Sequence, residues 1–296
     1  MKTAAVPQEV PKMGLWDDVL VLVKARLSFL VLITTLVGFL LGWKGPFDWV
    51  LLTATLLGTA LCAAGSSALN QWWERDIDAQ MKRTMDRPLP ARRMRPVDGL
   101  LFGLFFSTTG LAILALFTNW DAAFLAFATI AIYILVYTPM KRISSLNTLV
   151  GAVPGALPPL IGWMAARGNY DLEGCLLFGI LWFWQMPHFL AIAWMYKDDY
   201  AQGGFVMLTA NDPECATTSR QALLYSICLL LVTLVPGVLG FNSPVYFFGA
   251  LVLGLVFSGF ALVFIRRRDR HAARNLFFAS IVYLPVLLGL LVATKR

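Results

Sequence analysis

Asn70, Glu74 and Asp78 stand four residues apart where a long uncharged run, 49–73, gives way to charge. On a helix, positions i, i+4 and i+8 share one face, so the three side chains line a stripe ~12 Å long. Oxygen donors at that spacing suit a hard cation such as magnesium, which takes one or two carboxylates and fills its shell with phosphate oxygens. Arg83, Thr84 and Arg87 follow within two turns, and guanidinium forks match phosphate oxygens in pairs. Carboxylates at a bilayer boundary are costly and mark ion or substrate sites. Followed at once by arginines, they point to a metal-bridged phosphate, and so to an enzyme. The plainer alternative is a solvated, mixed-charge loop, against which Asn70 lies inside the uncharged run. Asp76 falls on another face and is expected to pair with a nearby arginine.

A second acidic segment, Lys197-Asp198-Asp199-Tyr200, ends a later apolar run. Asp199 is the natural second carboxylate arm for the same cation, Asp198 is a further metal-ligand candidate, and Tyr200 is a substrate contact. A helix-end charge pair with Lys197 is the plainer reading. His188 precedes Asp199 by eleven residues, close to three turns, so on one continuous helix both face the same way. Such a histidine could ligate iron, donate a proton, or hydrogen-bond across a bundle. A third patch, Tyr137-Thr138-Pro139-Met140-Lys141-Arg142, offers Lys141 and Arg142 to a diphosphate, or supplies ordinary topology charges.

These groups must be positioned by membrane helices. The chain is 58% hydrophobic and only 14% charged, with a mean hydropathy of +0.70, whereas soluble domains carry about a quarter charged residues. Uncharged runs cover 27–43, 49–73, 99–120, 122–140, 143–166, 174–196, 221–265 and 275–294. Most approach the ~20 residues a spanning helix needs. The turn signal Gly240-Phe241-Asn242-Ser243-Pro244 divides the longest run in two, which gives nine spans. The fold class is therefore an all-α polytopic membrane protein of nine transmembrane helices. It is expected to form one domain over 1–296, with a polar cytoplasmic tail over 1–18. The first apolar run is too long for a secretory leader and reads as helix one.

With the N-terminus inside, alternation places 20 of the 24 Lys and Arg residues on one side; Lys44, Arg167, Lys295 and Arg296 lie on the other. The positive-inside rule assigns the rich face to the cytoplasm and the C-terminus to the opposite side. Both acidic segments then share the inner face, four spans apart, as a two-fold repeat of four helices plus a ninth would place them. The net charge of +7 follows from topology and phosphate handling, and nucleic-acid binding is not expected. Cys62, Cys175, Cys215 and Cys228 show no metal spacing and read as packing residues. Pro139, Pro154, Pro158, Pro159 and Pro187 lie within spans, as kinks or beside an internal cavity.

The combined pattern resembles the intramembrane aromatic prenyltransferase superfamily, whose first motif, N-x3-[DE]-x3-D, is met by Asn70, Glu74 and Asp78. Within it, the chain is similar to the protohaem IX farnesyltransferase family. The residues that carry this are Asn70-Gln71-Trp72, Arg83-Thr84-x-x-Arg87-Pro88-Leu89, Tyr137-Thr138-Pro139-x-Lys141-Arg142 and Gly155-Ala156-x-Pro158-Pro159-x-Ile161-Gly162-Trp163. Trp184-Gln185-x-Pro187-His188-Phe189 and Asp199-Tyr200, followed by Gly203-Gly204 and Met207-Leu208, complete it. The superfamily's usual second motif, D-x3-D, is absent, since Gln202 and Gly203 stand where its last aspartate would. That argues against a quinone-type or chlorophyll-type acceptor. A haem or lipid transporter is the non-enzymatic rival, but the acids cluster at one face with arginines rather than at the midplane.

The resemblance implies a bundle around a central cavity opening toward the cytoplasm, in the cell inner membrane. It implies farnesyl diphosphate and haem B as substrates, Mg2+ as cofactor, and a downstream haem-modifying enzyme as a partner. Asn70, Glu74, Asp78 and Asp199 would be the catalytic metal-binding set. Arg83, Arg87, Lys141, Arg142, Tyr200 and His188 would hold the substrates.

Overall fold

The computed structural model describes residues 14–296, and its architecture is all-helical. A short helix α1 (Leu15–Leu22) leads into α2 (Ala25–Gly42), α3 (Trp49–Asp78), α4 (Pro96–Phe117), α5 (Trp120–Met140), α6 (Asn147–Arg167) and α7 (Leu172–Met195). After them come a six-residue helix α8 (Lys197–Gln202), α9 (Ala216–Val238), α10 (Pro244–Arg267) and α11 (Arg270–Ala293). Nine of these described helices, α2 to α7 and α9 to α11, are long and apolar enough to cross a bilayer. Their outer faces carry exposed Leu101, Phe105, Val252 and Leu255. Apolar patches of that extent are not left in water; this is a multi-pass membrane protein.

The sequence places a polar tail over 1–18, but its end is structured. α1 begins at Leu15, and Asp18 is buried. The amphipathic pattern Leu15-Trp16-Asp17-Asp18-Val19-Leu20 reads as polar only because its two acids stand together.

α6 is the hub, with 67% of its apolar window buried, the largest share of any described span. It packs against α2, α3, α5 and α7. Helices associate in lipid through small residues that let backbones approach closely, and the α2–α6 crossing shows this directly. A Cβ on Gly38 would overlap the Pro159 carbonyl, and one on Gly162 would overlap the Thr35 carbonyl. Gly155 serves the α6–α7 crossing, where its missing side chain leaves room for Gln185 Oε1. Gln185 Nε2 donates to the Ala152 carbonyl at 3.2 Å. Much of the Gly155-to-Trp163 and Trp184-to-Phe189 pattern is thus explained by packing.

Two local features position the polar groups. α3 has 30 residues, about 45 Å at ~1.5 Å per residue, against a hydrocarbon slab of about 30 Å. A helix that long tilts or overhangs the slab, and its last third carries Asn70, Glu74 and Asp78. In α5, Pro139 cannot donate a backbone hydrogen bond, and the turn before it widens to a π-helix over Ile132–Tyr137. The extra residue per turn brings Tyr133 and Tyr137 into a stack, with centroids 5.5 Å apart.

The chain does not continue as one helix from His188 to Asp199. It breaks at Tyr196 (φ −116°, ψ 26°) before α8 begins. His188 and Asp199 therefore do not share a face by three whole turns, because the turn at Tyr196 resets the helical phase.

Candidate active site

Asn70, Glu74 and Asp78 are 1%, 4% and 1% exposed; the mixed-charge loop reading is excluded. Buried carboxylates need partners, and each of the three polar groups meets a different cation. Lys24 Nζ donates to Asn70 Oδ1 at 2.9 Å. Lys141 Nζ donates to both Glu74 oxygens, at 2.8 and 3.0 Å. Arg87 Nη1 donates to Asp78 Oδ2 at 2.6 Å. Asn70 Nδ2 bridges Glu74 Oε2 (2.9 Å) and Thr138 Oγ1 (3.1 Å), and Thr84 Oγ1 closes the turn onto the Asp78 carbonyl at 2.9 Å. Asp76 is turned outward and pairs with Arg75 at 3.5 Å, as its face on the helix required.

The π-turn in α5 delivers the next layer. The Tyr133 hydroxyl lies 3.2 Å from Lys24 Nζ and 3.3 Å from Asn70 Oδ1. The Lys141 ammonium lies over the Tyr137 ring at 4.7 Å. Burial disfavours the Lys141 charge, but Tyr137 and Glu74, first among its neighbours, hold its pKa above the ordinary lysine value.

Lys24 escaped sequence reasoning, where a lysine before a span reads as a topology charge. It occupies a left-handed backbone position (φ 47°) between α1 and α2. A non-glycine residue held there costs free energy that the surroundings must offset. Burial first, then the Arg87 and Lys141 charges, push its ammonium down to about 7. The unfolded chain keeps this lysine protonated to about 10.4. Its charge therefore destabilises the fold below about pH 7, and the penalty is lifted as pH rises from 7 toward 10. Lys24→Met is expected to flatten that rise, as read by thermal unfolding across the same pH window.

The second acidic segment folds back onto the first. Arg83 lies over the rings of Tyr196 and Tyr200, at 5.5 and 5.3 Å, and its Nη2 is 3.5 Å from the Tyr200 hydroxyl. Past α8, Val206 N donates to the Lys141 carbonyl at 2.7 Å, and Lys141 Nζ lies 5.6 Å from the centre of the Phe205 ring. Tyr200 and Arg83 thus meet each other, with Arg83 exposed and Tyr200 half-buried. Asp199 is half-buried beside Tyr200, while Asp198 and Arg142 are exposed. Lys197 lies over the Trp194 ring, at 4.5 Å. Among the described residues no three acidic, histidine or cysteine side chains are gathered closely enough to hold a metal. The donor set on α3 is nonetheless one of hard oxygens, each matched by a cation that a divalent ion could replace.

The loop carrying Arg83 and Arg87 is anchored from α1. Arg93 Nε and Nη2 grip Asp18, at 2.9 and 2.8 Å, and Nη2 also donates to the Asp86 carbonyl. Gln71 Nε2 donates to the Val21 and Leu22 carbonyls at the end of α1, at 2.9 and 2.8 Å. Asp18→Asn leaves the Arg93 charge without its carboxylate. It is expected to cost about 3 kcal/mol in unfolding experiments, and to free the loop on which Arg87 rides.

Residues 31–282 match the UbiA prenyltransferase family. The chain belongs to that family. It is 42% identical to the protoheme IX farnesyltransferase of Solibacter usitatus, covering 94% of this chain and 98% of that one. Against the enzyme of the same name from Opitutus terrae it is 43% identical, over 95% of each. Among solved structures, a digeranylgeranylglyceryl phosphate synthase superposes with a TM-score of 0.81 at 14% identity, over 94% of this chain and 98% of that one. A UbiA homologue from Archaeoglobus fulgidus bound to GPP and Mg2+ gives 0.66 at 14% identity, over 94% of this chain and 100% of that one. Both structures share the helical architecture described above.

Proposed function

We propose that this protein transfers the farnesyl group of farnesyl diphosphate to a vinyl group of haem B, with addition of water, giving haem O and diphosphate. The observation that carries the choice of acceptor is the 42% identity along nearly the whole length to a protoheme IX farnesyltransferase. The paired charges on α3 supply a rationale for the donor. Lys24, Lys141 and Arg87, now bonded to Asn70, Glu74 and Asp78, are the groups a diphosphate would engage. Arg83 and Tyr200 sit at the rim where the ester enters, with Arg142 beyond them.

Asn70, Glu74 and Asp78 would hold Mg2+, with Asp199 as the arm from α8 and Asp198 behind it. When bound, the ion neutralises the leaving diphosphate and so eases ionisation of the allylic C–O bond. Lys141 and Arg87, exchanged from Glu74 and Asp78 by the ion, would aim positive charge at the same oxygens, which is often the largest single catalytic contribution. The farnesyl chain would lie in a hollow among the helices that opens to the cytoplasmic side, where scarce water spares the cation from early quenching. The vinyl carbon attacks C1 of the allylic cation, water adds to the new benzylic-type cation on the haem, and that water's second proton is lost.

The inner membrane, with the N-terminus cytoplasmic and the C-terminus opposite, is the placement the arginine and lysine asymmetry favours. Haem O would then pass to a terminal oxidase or to a downstream haem-modifying enzyme. The test is to incubate purified protein with haem B, farnesyl diphosphate and Mg2+, and look for a heavier, more retained haem. Chelating the metal with EDTA should abolish its formation. Haem B recovered unchanged from the complete mixture would sink the reading.

A further inference from the structure

His188 lies in α7 eight residues before the break at Tyr196, about 12 Å from it along the axis, and apart from the charged layer. Its Nδ1 is 2.7 Å from Ser280 Oγ on α11. Ser280 Oγ is also 2.6 Å from the Phe277 carbonyl oxygen. A hydroxyl has one proton, and a carbonyl can only accept. Had Ser280 donated to the imidazole, two lone pairs would face each other at the Phe277 contact. The Ser280 proton is therefore committed to Phe277, and its oxygen accepts from Nδ1–H. The neutral imidazole is fixed in the tautomer that leaves the lone pair on Nε2.

The ring cannot turn away from this arrangement easily. Trp184 stacks on it at 5.0 Å, Phe277 lies tilted against it at 4.9 Å, and Phe189 meets it edge-on at 5.7 Å. Trp184 is itself held by its Nε1 donating to the Ser280 carbonyl at 2.8 Å. Among the described residues no group hydrogen-bonds Nε2. A histidine oriented by a hydrogen bond from its far nitrogen, with the near one free, has the form that metal-ligating histidines take.

We propose that His188 Nε2 is the axial ligand to the iron of the haem substrate, and that Ser280 is a positioning residue that fixes its tautomer. The proposal rests on haem B being the acceptor. Iron–imidazole ligation pins the macrocycle to α7 while leaving its vinyl edge to meet the farnesyl donor.

The test is resonance Raman spectroscopy of the purified protein with ferrous haem B, run beside the farnesyl-transfer assay. Wild type should show an iron–imidazole stretch. His188→Ala should lose it and bind haem at least about tenfold more weakly, with the KM for farnesyl diphosphate unchanged; added imidazole should restore the band. Ser280→Ala should shift the band and weaken haem binding about tenfold. Iron-free protoporphyrin IX should bind wild type at least about tenfold more weakly than haem, a comparison that needs no variant. A wild-type complex without the band, or His188→Ala with unchanged spectrum and affinity, overturns the proposal even if haem O is made. Ligation by His188 without any haem O formation would sustain this site and refute the proposed reaction instead.

Discussion

Glu74→Gln is expected to cut farnesyl transfer about a thousandfold, as is Asp78→Asn, both read as kcat with saturating substrates. The two carboxylates are buried, and each faces a cation at hydrogen-bond distance. Neutralising one would remove a proposed metal donor and also strand the partner charge on largely buried Lys141 or half-buried Arg87. That second effect alone can cost about 3–5 kcal/mol of stability, so a dead variant is ambiguous until folding is separated from chemistry. The double variant Glu74→Gln/Lys141→Met separates them. Relieved of its stranded ammonium, it should regain most of the lost thermal stability and none of the activity. Stability and turnover that recover together would show Glu74 to be a structural partner of Lys141, and the metal-site argument would fall with it.

Gly162→Ala should be nearly as damaging, through the fold rather than the site. The added methyl would overlap the Thr35 carbonyl, which is backbone and cannot rotate away. Either α2 and α6 separate along their crossing or α6 shifts along its axis. Overpacking of a tight contact costs about 3 kcal/mol at the upper end of the usual range. Because α6 is the hub, the loss should appear as a lowered melting temperature in detergent and poor accumulation in membranes. Gly38→Ala, blocked by the Pro159 carbonyl, should behave alike. Gly289→Ala and Gly259→Ala are the controls: nothing lies within 4 Å of either added carbon, so both should melt at or slightly above wild type.

The aligned stripe of Asn70, Glu74 and Asp78 was legible from spacing because a 3.6-residue helix fixes which side chains share a face. Its burial was not, since α3 could equally have emerged into water at Trp73. One side is covered by α5, where the widened turn ahead of Pro139 turns Tyr133 and Thr138 toward Asn70. The loop 80–95, folded back by the Asp18–Arg93 grip, closes the other side. Helical phase from His188 favours Asp199 over Asp198, but the break at Tyr196 resets that phase; the fold itself leaves Asp199 half-buried and Asp198 exposed.

By itself the sequence determined nine membrane-length helices, the polar face on which both acidic segments lie, and the pattern of residues shared with a prenyltransferase family. Those are consequences of local composition and helical period, which need no partner to be read. Tertiary structure alone decided that Lys24 joins Asn70, that Lys141 rather than Arg142 meets Glu74, and that Ser280 meets His188. Each of these is a contact between residues 46, 67 or 92 positions apart. Their formation depends on how helices cross in lipid, where close approach at Gly38, Gly155 and Gly162 sets the geometry and no hydrophobic periodicity records it.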